Sequence, residues 1–116
     1  LARLDAGKYD AVIYSVAVRA RSGKGSVALP PVGKRLSDEL IRRRLPLIVI
    51  SFGNPYLLAT MPNAPTYLLA YSPFDVSQRA AAKTVFGEIG AGGKMPAAIP
   101  RLYPRGHALW VRRRGP

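Results

Sequence analysis

Three short apolar runs constrain this chain more than any other feature: Val12–Val18 (VIYSVAV), Leu47–Ser51 (LIVIS) and Thr66–Tyr71 (TYLLAY). Each is rich in β-branched or aromatic residues and apolar nearly throughout. A strand with one wet face alternates, whereas a continuous apolar run suits a strand covered on both faces, the habit of parallel sheets. Helical patterns lie between and after the runs. Pro31–Leu45 places Val32, Leu36, Leu40 and Ile41 on one stripe. Arg42, Arg43 and Arg44 end it where cations suit the negative end of the helix dipole, and Pro46 stops it. Asn54-Pro55 opens a short second helix, with Asn54 as N-cap and Pro55 in the first turn; Pro62 closes it. Asp75-Val76-Ser77-Gln78 reads as a capping box opening a third helix. Its expected buried face is Ala80, Ala81, Val85 and Phe86, and Gly87 is its C-cap.

Alternation of strand and helix predicts an α/β fold, a three-layer sandwich around a mainly parallel sheet. Three strands make a small sheet whose outer edges need covering, so the pattern reads as an incomplete domain. Residues 1–107 form that partial domain, and the basic stretch 108–116 is expected to be a disordered tail. At 116 residues the chain is too short for a two-domain enzyme or a full (β/α)8 barrel. The start at Leu1 has no signal-peptide core and looks like an internal cut or a processed end. No apolar run approaches the roughly 20 residues of a transmembrane helix.

Open α/β sheets bind ligands beyond the carboxyl ends of their strands. The loops there are 19–30, 52–54 and 72–74, and none contains a carboxylate. Paired carboxylates facing a scissile bond are therefore not expected within this chain. Arg19, Arg21, Ser22, Lys24, Ser51, Asn54 and Ser72 are the candidate ligand- or partner-facing residues of these loops. Ser51 superficially resembles a nucleophile elbow, but Val49 stands where its first glycine belongs, and His107, the only histidine, lies in the tail. The hydroxyl of Ser51 and the amide of Asn54 suit hydrogen bonding within their turn. The glycine-rich stretch 87–94 fails as a phosphate loop: Glu88 replaces its first glycine, Met95 follows Lys94, and it succeeds a helix. One histidine and no cysteine leave no transition-metal set, and no cofactor is expected.

The charge balance is +12, from 18 Lys+Arg against 6 Asp+Glu, and 13 of the 18 are arginine. Arginine favours phosphate and carboxylate recognition. Two clusters are dense: Arg42, Arg43 and Arg44, and then Arg112, Arg113 and Arg114. These six are the candidate polyanion contacts, and only the second cluster has an aromatic neighbour, Trp110.

An ordered series of short motifs runs along the chain: VISFGNPYLL (49–58), YLLAYS (67–72), SQRAAA (77–82), FGE (86–88), GKMP (93–96), IP (99–100) and LYPRGH (102–107). This series resembles the C-terminal domain of glycoside hydrolase family 3, most closely its β-N-acetylhexosaminidase-like members, from about Tyr9 to about His107. The resemblance implies an α/β sandwich that packs against an N-terminal barrel carrying the nucleophilic aspartate, which this chain lacks. In β-glucosidase-like members a sandwich loop contributes the acid/base glutamate. The loop matching it here, Arg19–Pro30, has no Asp or Glu, which agrees with the hexosaminidase-like branch, where the barrel supplies both groups, including a histidine that is not His107. The resemblance covers roughly the second half of the sandwich. Gly90-Ala91-Gly92 and Arg112-Arg113-Arg114 depart from the family pattern. It implies a structural, non-catalytic role beside the barrel, with carbohydrate as the ligand class. The alternative, resting on charge, is a basic module that binds RNA or another polyanion.

Overall fold

The structure, a computed structural model, describes residues 5–18 and 28–115. The strands are β1 (Val12–Val16), β2 (Leu47–Ser51) and β3 (Thr66–Leu69); the helices are α1 (Pro31–Arg42) and α2 (Asp75–Val85). Short 3-10 turns occupy Ala6–Lys8 and Pro55–Thr60. The sheet has the order β1-β2-β3 and is parallel throughout, with Val12 opposite Leu47 and Ile48 opposite Thr66. The fold is thus a small α/β fold built on a parallel sheet.

One face of the sheet carries the core. Val16, Leu47 and Val49 pack with Leu40 of α1 and with Leu29, Leu45, Leu57 and Met61; Leu36, Ile41 and Tyr67 border them. The opposite face meets α2 through Ile50 and Ala81. Only β2 is buried on both sides. In β1, Val12, Tyr14 and Val16 turn inward while Ile13 and Ser15 are exposed, which corrects the expectation that every strand is covered on both faces. β1 is an edge strand, and α2 covers only part of its outer face.

Helix α1 buries a different stripe from the expected one. Leu36, Leu40 and Ile41 face the core, but Val32 is 67% exposed and Ser37 is fully buried. The small residues Gly33 and Ser37 let the helix approach the sheet closely. The Tyr14 hydroxyl donates to the Gly33 carbonyl at 3.2 Å, and the Ser37 hydroxyl to the Lys34 carbonyl at 2.8 Å. The helix ends at Arg42, short of Leu45. Arg44 follows in the left-handed region at φ 53°, its N–H donating to the Ile41 carbonyl. A side chain there costs about 1–2 kcal/mol.

Helix α2 starts one residue earlier than a capping box on Asp75 would place it. Phe74 is the N-cap and Asp75 the first helical residue. Gln78 reaches back to donate to the Pro73 carbonyl at 2.7 Å, while the Ser72 hydroxyl accepts from the Phe74 N–H at 3.2 Å. Of the expected buried face, Ala81 is buried, but Ala80 is exposed and Phe86 is 77% exposed. The helix stops as glycine allows. Gly87 has φ +76°, its N–H donates to the Thr84 carbonyl, and the Glu88 N–H reaches the Lys83 carbonyl, a Schellman pair.

Beyond α2 the chain doubles back. Ala91 and Val111 exchange two backbone hydrogen bonds, Met95 N–H donates to the His107 carbonyl, and Arg114 N–H donates to the Gly87 carbonyl at 2.9 Å. The basic stretch expected as a tail from residue 108 is described here as far as residue 115. Arg112, Arg113 and Arg114 belong to a stretch whose backbone is laid against the segment that follows α2, and the hydrogen bonds on either side of Arg112 and Arg113 fix their course.

The contrast between the two valine and leucine positions of α1 is measurable. Leu40→Ala should lower the unfolding free energy by about 2–5 kcal/mol, whereas Val32→Ala should be within about 0.5 kcal/mol of neutral. Urea denaturation of both variants checks this; equal losses would contradict the observed stripe.

Candidate functional site

The carboxyl ends of the three strands are tied together by backbone. Phe52 N–H donates to the Val16 carbonyl at 2.8 Å and Ala70 N–H to the Ser51 carbonyl at 2.9 Å. Gly53 sits where a Cβ would lie 3.0 Å from the Val18 carbonyl oxygen, so the β2 turn lies close against the chain leaving β1. This is the sheet edge where α/β folds place ligands.

The candidate residues of this edge are engaged locally. The Asn54 side chain accepts from the Tyr56 N–H at 2.8 Å, as an N-cap should. The Ser72 hydroxyl serves the α2 turn. Ser51 is 1% exposed and lies beneath the surface on the core side, near Tyr67. Arg19, Arg21, Ser22 and Lys24 lie outside the described residues. His107 stacks on Tyr103, ring centroids 4.5 Å apart, and no hydrogen bond or ring contact among the described residues joins it to Ser51. The geometry thus gives no nucleophile–base pair there.

Two tyrosines that the sequence does not single out stand beside these residues. The Tyr67 hydroxyl is buried, and it makes no hydrogen bond of normal geometry among the described residues. Burial pushes its phenol above the ordinary value, and the adjacent Ser51 side chain offsets part of that rise. Ser51 is therefore the polar neighbour of the phenol, at a geometry outside that of an ordinary hydrogen bond. Tyr71 has φ 57°, and Ser72 N–H donates to the Ala70 carbonyl across it at 2.7 Å, a three-residue turn. Its hydroxyl points at the Met95 sulfur, 3.8 Å away, so this strained residue joins the sheet edge to the C-terminal segment. Burial raises its phenol too. An aromatic in a left-handed turn leaves no periodic signature, which is why pattern reading passes over it.

The carboxylates are mostly occupied elsewhere. Lys34 pairs with Asp38, Arg79 with Asp75 at 3.0 Å, and the Asp5 side chain accepts from the Gly7 N–H. Glu39 is held by both Arg42 and Arg43, each at 2.7 Å. Their hydrogen bonds pull its carboxyl down to about 2. Two of the three arginines in the first candidate polyanion cluster are therefore committed to their own helix, and Arg44 is the exposed turn residue beyond it. In the second cluster Arg112, Arg113 and Arg114 are all exposed. Their backbone is packed against glycine: the Arg113 nitrogen lies 3.3 Å from where a Gly90 Cβ would stand, and the Arg114 Cβ 3.0 Å from where a Gly87 Cβ would. Among the described residues no group of three or more histidines and carboxylates could hold a metal ion.

An open apolar groove of about 430 Å³ runs between α2 and the outer face of β1 and β2. Ile13, Ser15, Ile50, Ala82, Val85 and Phe86 line it, and no charged side chain does. The outer edge of β1 adjoins it. Because Val12 and Val16 direct their peptide groups toward β2, those of Ile13 and Ser15 point outward. Among the described residues no strand pairs with them. Chemically the groove can bind an apolar surface; Ser15 and Gln78 are its polar side chains, and no acid or base lines it. Comparison with protein-family models, with curated proteins and with solved structures gives no match.

Two outcomes follow. Tyr67→Phe should stabilise the fold by about 1 kcal/mol, because it removes a buried hydroxyl that makes no hydrogen bond of normal geometry among the described residues. The raised phenol means that wild-type stability is fully present below pH 10 and declines as pH rises through the folded-state value, so the variant should show a flatter alkaline limb in urea titrations. For Glu39, a carboxyl-detected NMR titration should give a midpoint of about 2. Arg42→Ala should move that midpoint up toward the ordinary value of about 4.3. Its contribution is present above the unfolded-state pKa and is lost as pH falls toward 2; a midpoint unmoved by Arg42→Ala would break the assignment.

Proposed function

We propose that this chain is a non-catalytic part of the C-terminal α/β sandwich of a glycoside hydrolase family 3-like protein, of the β-N-acetylhexosaminidase-like branch. Its role is to pack against a catalytic barrel and shape access to the sugar site. The observation that supports this reading is the unfinished outer face of the sheet. Among the described residues no strand pairs with the outer edge of β1, and the groove beside it is lined mainly by apolar side chains with no charged one. Such a surface is suited to completion by further polypeptide rather than to chemistry. The motif series supports the family assignment from the sequence side. Its VISFGNPYLL segment makes β2 and the capped turn after it, and SQRAAA falls within α2. The carboxylate-free strand ends accord with a branch in which the barrel supplies the catalytic groups.

The isolated chain should show no turnover of an aryl β-N-acetylglucosaminide above the buffer rate. Turnover that survives substitution of Ser51 and His107 would overturn the non-catalytic assignment. The coding sequence upstream of Leu1 should encode, in the same frame, a barrel bearing a nucleophilic aspartate. An upstream frame without one would overturn the family role.

A further inference from the structure

We propose that the face of the C-terminal stretch carrying Trp110, Arg112 and Arg114 is a binding site for single-stranded nucleic acid. This goes beyond the sandwich role, which asks nothing of these residues. After the turn at 105–106 the chain runs from His107 to Arg114 without turn or bend, and no residue in it has a positive φ. Side chains of such an extended stretch alternate. Trp110, Arg112 and Arg114 therefore share one side, each about 6–7 Å from the next, and Leu109, Val111 and Arg113 take the other.

The opposing stretch seats the indole. Ala91 and Val111 exchange two backbone hydrogen bonds, and Met95 N–H donates to the His107 carbonyl, so Gly92 lies across from Trp110. A Cβ on Gly92 would stand 2.7 Å from the ring. With no side chain there, the indole rests on backbone, and Trp110 remains 77% exposed. A ring held in place and open to solvent is a stacking platform that binding does not have to order. Arg114 also faces glycine: its Cβ lies 3.0 Å from where a Gly87 Cβ would stand. Among the described residues no ion pair engages Arg112 or Arg114. Glu88 is the one carboxylate after α2. The stretch from Gly87 to Ala91 holds one more residue than that from Val111 to Arg114, so Glu88 sits in a bulge at the Arg114 end of the face, with Trp110 at the other end.

The chemistry of this face selects its ligand. Leu109 and Val111 are on the far side, so the face has no aliphatic side chain to bury in a bilayer. A sulfated or phosphorylated chain without bases would meet the arginines and leave the indole unused. In a duplex the bases are stacked on one another and closed to it. A single strand has both parts, phosphates for Arg112 and Arg114 and an unstacked base for Trp110. The surroundings favour it too, since Ile89 to Pro116 has six basic residues and no Asp or Glu.

Trp110 is the only tryptophan, so its fluorescence reads the contact. Added to the full chain at physiological salt, oligouridylate should quench it, whereas heparin and a DNA duplex should not. Anisotropy of a labelled oligouridylate follows the variants, each with unchanged far-UV circular dichroism. Trp110→Ala should bind about tenfold more weakly with the same dependence on salt, and Trp110→Phe should stay within a few-fold of wild type. Arg112→Ala/Arg114→Ala should lower the slope of log K against log salt by roughly 1.4, at about 0.7 for each phosphate contact. Arg35→Ala/Lys83→Ala removes the same charge from exposed positions on α1 and α2 and should keep the wild-type slope. Equal quenching by heparin or duplex, an unaffected Trp110→Ala variant, or equal slopes for the two double variants would overturn the proposal. So would a blue shift on phosphatidylglycerol vesicles without quenching by oligouridylate, which would assign the face to a membrane.

Discussion

The rest of this structure depends on β2 being paired along both of its edges and buried on both of its faces. Its parallel register against β1 and β3 determines which side chains meet α1 and which meet α2, since a shift of one residue would exchange the faces. Leu47 and Val49 supply the core beneath α1, and Ile50 supplies the layer beneath α2. The same register ends the three strands together. It sets Ser51 opposite Leu69 and Val49 opposite Tyr67, so that the Ser51 hydroxyl and the Tyr67 phenol share the buried face. The chemistry available at the sheet edge is thus a consequence of strand pairing. It consists of turn-capping groups and two tyrosines, not of a proton-transfer pair.

The two sides of the sheet are unequal. On the α1 side, helix, turn and strands close a continuous core. On the α2 side only part of the helix's inward face is used: Ala81 is buried, while Ala82 and Phe86 border an open groove. Helix α2 lies over β1 and β2, and its layer stops where β1 stops. In a doubly wound fold the next strand and helix would continue from that edge. The outward peptide groups of Ile13 and Ser15 are its hydrogen-bonding half, and the groove is its apolar half. An exposed edge without a charged or proline guard invites pairing, and β1 carries neither from Val12 to Val16.

The elements themselves were legible because long apolar runs have few uses other than burial, and because Asn54-Pro55 and Gly87 carry local chemistry that acts without tertiary help. The errors came from positions where small or polar residues replace apolar ones inside the fold. Gly33 and Ser37 form the close-packing surface of α1, so Val32 is left in solvent although it fits an apolar stripe. Asp75 has the composition of a cap, but Ser72 and Gln78 set the turn from either side and move the cap to Phe74. At the candidate site, Asn54, Ser51 and Ser72 could be placed at strand ends from order alone. The positions of Tyr67 and Tyr71 depend on burial and on a left-handed turn, neither of which has a sequence period. The doubling back of the chain after α2 was illegible for the same reason. Its pairing joins residues about twenty apart, so Arg112, Arg113 and Arg114 read as a loose end, and Gly92 beneath Trp110 is a steric relationship without a composition signal.

The distribution of charge completes the contrast between the two parts of the chain. Residues 1–88 contain twelve basic and six acidic residues, and residues 89–116 contain six and none, so each part contributes +6. The first part spreads its charge over three times the length and pairs four of its cations locally, through Lys34–Asp38, Glu39 with Arg42 and Arg43, and Asp75–Arg79. Exposed pairs of this kind add little to stability, but they remove free cations from the surface. The second part has no Asp or Glu of its own to pair with. Arg42 and Arg43 are thus held by Glu39, whereas among the described residues no ion pair engages Arg112 or Arg114.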